Sequence, residues 1–221
     1  MTHPPTEELI NKLVDDCAPI RRLWPPLAQA ALWLTIILSL AAAAVWFMDA
    51  TPGMIRRLHA TRFALEMAGT MLTGASAIVA AFCLSFPDRS RLWLLFPVPP
   101  LIVWLATAGY GCYTNWIDYG PEGWTLGRSG NCFVFIVGAS VPLAGALYLA
   151  LKRSAPLDTL SVALMGGLGV AALSATILQF FHPFDVTLID LGAHVAALLV
   201  VVVLMSTLGR AGLESAMEHG A

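Results

Sequence analysis

Charge is what this chain has least of: charged residues are 12% of 221, hydrophobic residues are 58%, and mean hydropathy is +0.76. That balance excludes an ordinary soluble domain and points to a membrane protein. Also missing are a P-loop, a GxSxG elbow, an HExxH pair and a dinucleotide fingerprint, so no enzyme motif is visible. There is no internal repeat and no low-complexity segment. A net charge of −2 lacks the basic surplus that a nucleic-acid partner requires.

What is present is hydrocarbon in long runs. Six apolar stretches, near 27–48, 64–86, 92–112, 131–151, 160–181 and 186–208, each reach the ~20 residues that cross a hydrocarbon core of about 30 Å as a helix. The expected fold is an all-α membrane protein of six transmembrane helices over 27–208. A tail of 1–26 precedes them and a short tail of 209–221 follows. No small-residue cleavage site follows a short apolar core, so the first stretch reads as a retained helix.

Orientation follows from the cations. With the N-terminus inside, Lys12, Arg21, Arg22, Arg89, Arg91, Lys152, Arg153 and Arg210 are cytoplasmic. Only Arg56, Arg57, Arg62 and Arg128 fall outside. The excess favours N-in and, with an even number of spans, C-in. Arg56, Arg57 and Arg62 in one outer loop are the dissenting group.

The tail predicts a short amphipathic helix capped by Thr6, with Glu7 and Glu8 at its positive end. Leu9, Ile10, Leu13, Val14 and Cys17 share one side, and Pro19 stops it. Such a helix lies on the lipid surface or docks a cytoplasmic partner; its acidic Glu7, Glu8, Asp15 and Asp16 disfavour anionic headgroups. Pro97, Pro99 and Pro100 are expected to kink the third span and Pro142 the fourth. Gly69, Thr73, Ala77 and Ala81, and Gly167, Ala171 and Ala175, form small-residue stripes suited to close helix packing. The inner loops are too short for a domain, which leaves the tail and the loop at 113–130 as the sizeable parts outside the bilayer.

Six ionisable or thiol residues fall toward the outer ends of the spans. Cys112 and Cys132 end adjacent spans on that side, where an oxidising compartment permits a disulfide, a reactive or metal-binding thiol, or inert packing. Within FFHPFDVTLIDLGAH at 180–194, His182 and Asp185 mark the turn before the last span, and Asp190 and His194 stand one helical turn apart. With Asp118 they form either an Asp–His tie between helices or a thiol, imidazole and carboxylate cluster that senses a metal or oxidant. Rival readings are a small metal-handling transporter using Asp185, Asp190 and His194, and an intramembrane thiol oxidoreductase using Cys112 and Cys132.

The combination of RRLWPP at 21–26, GC at 111–112, NWIDYGPEGW, SGNCFVFI with a proline ten residues after Cys132, KRSAP at 152–156 and FHPFD at 181–185 resembles the NrsF family. The resemblance runs from about residue 8 to residue 205. It implies a six-span bacterial inner-membrane anti-sigma factor, not an enzyme, that sequesters an extracytoplasmic-function sigma factor through its tail. Leu9, Ile10, Leu13, Val14, Cys17, Arg21 and Arg22 would then contact the partner. It also implies outer-side cysteines that respond to heavy-metal or oxidative stress, with no resident cofactor beyond a transient heavy-metal ion and no small-molecule substrate. Cys132 matches the family's cysteine in the fourth span. The second cysteine of cysteine-regulated members is absent from the turn FFHPFD, where His182 stands instead. That departure leaves a Cys112–Cys132 exchange or a mixed Cys/His metal site.

Overall fold

The computed structural model describes residues 6–15, 23–49, 51–120, 126–154, 158–181 and 188–218. Among these the regular structure is helical, without strands. The helices are α1 (Thr6–Asp15), α2 (Pro26–Phe47), α3 (Thr51–Leu58), α4 (Thr61–Leu84), α5 (Val98–Tyr119), α6 (Leu126–Leu151), α7 (Thr159–Phe181) and α8 (Leu188–Glu218). Among the described residues five segments are long and apolar enough to cross a membrane: α2, α4, Arg91–Asp118, Cys132–Leu151 and α7. Within α8 the apolar stretch is Leu191–Thr207, which supplies the sixth expected position.

Several boundaries move. The prolines of the third span start a helix instead of kinking one: Arg91–Leu95 is a 3-10 turn, and Pro97, Pro99 and Pro100 fall at the N-cap and first turn of α5. There a missing N–H costs nothing, because the first turn has no intrahelical acceptor for it. α5 then runs on to Tyr119 and ends at Gly120, whose φ of 58° is open to glycine without strain. With α6 beginning at Leu126, most of the expected loop at 113–130 is helix. Pro142 lies inside α6 without ending it. A short helix absent from the sequence reading, α3, occupies the link between α2 and α4.

α7 is the most buried span, with α4, α6 and α8 packed around it and α5 packed on α4. Its glycines allow this. A Cβ on Gly169 would lie 2.7 Å from Ile78 Cδ1 of α4, and one on Gly74 of α4 would lie 2.8 Å from Leu173 Cγ. One on Gly167 would meet Val202 of α8 at 2.6 Å from Cγ2 and 2.9 Å from Cα. The stripe residues Thr73, Ala77 and Ala81 are buried, as are Ala171 and Ala175. Around these contacts Ile78, Phe82, Leu147, Val170, Leu173 and Val201 form the centre of the apolar core. A buried hydroxyl pair, Ser140 donating to Ser174 at 3.0 Å, links α6 to α7.

Asp158 caps α7. Its Oδ1 accepts from Ser161 N at 3.2 Å and its Oδ2 from the Ser161 hydroxyl at 2.8 Å, the arrangement that satisfies a first-turn donor. Arg91 Nη2 stands 3.4 Å from Oδ2. The Ser161 hydroxyl, its backbone N–H and Arg91 hold the carboxyl below its ordinary value of 3.8.

Two outcomes follow from this packing. Gly167→Ala drives a Cβ into the backbone of α8 and is expected to cost about 1–3 kcal/mol, whereas Gly166→Ala meets only side-chain tips, Leu147 Cδ2 at 3.0 Å and Met205 Cε at 3.4 Å, and is tolerated. Unfolding in detergent micelles that ranks the two alike contradicts the assignment. Asp158→Ala is expected to cost about 0.5–2 kcal/mol at neutral pH. Because folding depresses this pKa, the cap contributes fully above 3.8 and is lost as pH falls through the lower folded value. Thermal unfolding from pH 7 to 3 should therefore show a deficit that persists at pH 5; one already gone there contradicts the cap.

Candidate functional site

Two interhelix bonds establish which helix ends lie together. Arg57 Nη1 of α3 donates to Gln179 O near the end of α7 at 2.9 Å, and Arg62 Nη1 of α4 donates to Thr114 Oγ1 of α5 at 3.1 Å. The ends of α2, α5 and α7 and the start of α4 therefore form one face, opposite the tail. The other face carries Arg89, Arg91 and Asp158 beside the start of α2.

At the tail-distal face these bonds belong to a polar layer. The Arg57 guanidinium covers the Phe63 ring at 4.0 Å, a cation–π contact, while its N–H reaches the partially negative C-terminal end of α7. Thr114 passes the Arg62 bond on by donating to Gly111 O at 3.0 Å. Glu66, one turn beyond Arg62 on α4, is buried. Gln179 Nε2 donates to Thr70 Oγ1 at 3.4 Å, and Thr70 donates in turn to Met67 O at 2.9 Å. Gln179 Oε1 is buried without a hydrogen-bond partner among the described residues. The layer ties α3, α4, α5 and α7 by directional bonds, so a shift of α5 or α7 is felt by α4. Sequence reading had passed over Glu66 and Gln179; their signal was an acid and an amide inside spans otherwise nearly free of such groups.

The residues singled out from sequence do not gather into one described cluster. Cys132, 1% exposed, packs with Ile136, Leu178 and Ala197 where α6, α7 and α8 meet. Cys112 is also buried, on α5 beside Gly111. Both are thiols, as is Cys83. Neither stands at a helix end: α5 continues to Tyr119, and α6 begins at Leu126. Asp118 is exposed, and His194 is half-buried on α8. Asp190 falls in the first turn of α8, with its side chain outside the described residues. His182, Asp185, Cys17, Arg21 and Arg22 lie outside the described residues altogether. Among the described residues no three His, Cys, Asp or Glu are placed to hold a metal ion.

On the tail, α1 forms over Thr6–Asp15 with Glu7 and Glu8 in its first turn. Ile10, Leu13 and Val14 are 52%, 59% and 64% exposed, an apolar side left uncovered. Leu9 belongs to the same helix.

Compared with known proteins, residues 13–214 match the model of the NrsF family, described as negative regulator of sigma F. No curated protein and no solved structure matches the chain.

The polar layer makes a testable distinction between neighbouring arginines. Arg57→Ala removes a charge-assisted bond and is expected to cost about 1.5–3 kcal/mol, while Arg56→Ala, at an exposed residue, stays within about 0.5 kcal/mol. Equal effects on thermal unfolding in detergent contradict a structural role for the Arg57 bond.

Proposed function

The chain belongs to the NrsF family, the negative regulators of sigma F, and we propose that it is a membrane-bound anti-sigma factor. It holds an extracytoplasmic-function sigma factor at the bacterial inner membrane, with both termini in the cytoplasm. The carrying observation is the extent of the family match, which begins within α1 and ends within α8, so tail and bundle belong to one unit. Support for the tail as the docking element comes from the exposed side of α1, where Ile10, Leu13 and Val14 lack cover. An amphipathic helix of this kind binds by laying that side into an apolar groove of its partner.

Release is proposed to begin at Cys132, Cys112 and His182, with Asp118, Asp185, Asp190 and His194 in support. A thiol as buried as Cys132 is reached by a metal ion or oxidant only when α6, α7 and α8 part, so modification there would hold the helices apart. The change then has a route to the tail through α7, which packs against α2 as well as α4. Such a switch requires two arrangements of the bundle, one closed on Cys132 and one parted there.

The experiment is co-purification with the sigma factor from membranes. Leu13→Asp with Val14→Asp should lower sigma-factor recovery at least tenfold while the bundle accumulates normally; undiminished recovery removes the tail's role. In cells, Cys132→Ser and His182→Ala should each blunt induction of the regulon by cadmium, chromate or peroxide. Normal accumulation and normal induction in both would dismiss the sensing cluster and leave sequestration standing.

A further inference from the structure

A cavity of about 340 Å³ opens between α2, α4 and α7 toward the tail-distal face. It exists because of α2. The run Ala41–Ala44 strips that helix of side-chain volume where it passes α4 and α7, and Ala41 and Ala42 line the cavity. Met67 and Met71 of α4 and Ile177 and Phe180 of α7 complete the walls. Methionine adapts its shape to an irregular apolar guest.

The lining selects hydrocarbon. Thr176 is the one hydroxyl on the walls, and it donates to Ala172 O at 2.9 Å, so it offers its methyl group and no donor. The volume falls in the range of small-ligand sites, about 300–1,000 Å³. Three of the walls are helices long and apolar enough to cross a membrane, so the groove opens to the surroundings of a spanning bundle. Its tail-distal end is marked by Trp46, 74% exposed, and by Phe47 beyond it, the aromatic placement typical of the headgroup level.

The same end carries positive charge. α3 packs on α4 and α7, two of the three walls, and its Arg57 donates to the carbonyl of Gln179, the neighbour of the lining residue Phe180. Arg57 turns to the α7 carbonyl and Phe63, while Arg56 beside it is exposed. An exposed guanidinium on the short helix that packs against two walls of a hydrocarbon groove complements a phosphodiester whose acyl chain runs inward.

We propose that this groove is a binding site for one acyl chain of an anionic phospholipid, with Arg56 holding the headgroup. The proposal rests on the membrane reading of the chain but not on its anti-sigma role. Because the occupant wedges α2 against α4 and α7, it sets the position of the helix that carries the tail.

The test is native mass spectrometry of the full chain, extracted in detergent and offered phosphatidylglycerol or phosphatidylethanolamine of identical acyl chains. Wild type is expected to retain one phosphatidylglycerol in preference. Ala42→Phe, which fills the groove, should lower that occupancy at least fivefold, whereas Ala43→Phe, outside the lining, should not. Arg56→Gln should abolish the preference between the two lipids while keeping the bound chain. Equal occupancy in wild type and Ala42→Phe overturns the site, as does a lipid preference unchanged in Arg56→Gln overturn the role of the cation. Recovery of the chain in the soluble fraction would overturn the membrane reading along with the site.

Discussion

How closely a helix can approach α7 governs the rest of the bundle. A gap of about 0.5–1 Å already forfeits a quarter to a half of the dispersion attraction between two atoms, so the closeness of two backbones decides how firmly their helices pack. Glycine removes the side chain that would hold two backbones apart. Gly74 and Gly169 bring α4 and α7 together against Leu173 and Ile78, and Gly167 admits Val202 of α8. α5 gains its place on α4 in the same way, since a Cβ on Gly69 would lie 3.0 Å from the Trp104 backbone. α2 has no glycine and stays at the periphery with most of its length exposed. The groove beside Ala41 and Ala42 is a consequence of that weaker docking.

Several small polar groups within the spans are handled locally, the Ser140–Ser174 pair between α6 and α7 being an exception. Thr35, Ser76, Thr107 and Ser206 each return a hydroxyl proton to the carbonyl four residues earlier, which satisfies the group without a second helix. Longer groups at the tail-distal face, Arg57, Arg62 and Gln179, bond between helices instead. Two of the three arginines that argued against an N-in orientation are thus held by packing and helix-end electrostatics. Their position follows from those bonds, which weakens their force as a vote on topology.

Cys132 of α6 and the polar layer meet neighbouring residues of α7, the thiol packing with Leu178 and the layer bonding to Gln179. Consecutive residues of a helix point about 100° apart, so Leu178 faces Cys132 of α6 and Ala197 of α8 while the Gln179 amide faces Thr70 of α4. A displacement of α7 is therefore shared between the two sides of the bundle. The proposed route from a thiol event to the tail depends on this placement and on the contact of α7 with α2.

The sequence by itself determined that the chain is helical and apolar in membrane-spanning lengths, because length and hydropathy are local properties of each segment. It also carried the family, through motifs such as RRLWPP and SGNCFVFI, and the small-residue stripes that pack α4 and α7. It misplaced the helix boundaries around Pro97 and Cys112, since a proline is equally compatible with a kink and with a first turn until the residues before it are seen to form a 3-10 turn. Which groups meet was beyond it. Arg57 reaches Gln179 across 122 positions, and Cys132 finds Leu178 and Ala197, only once the glycines of α7 have decided how near each helix may come. Pairings of that kind depend on the packing of whole helices, a long-range property that no local pattern encodes.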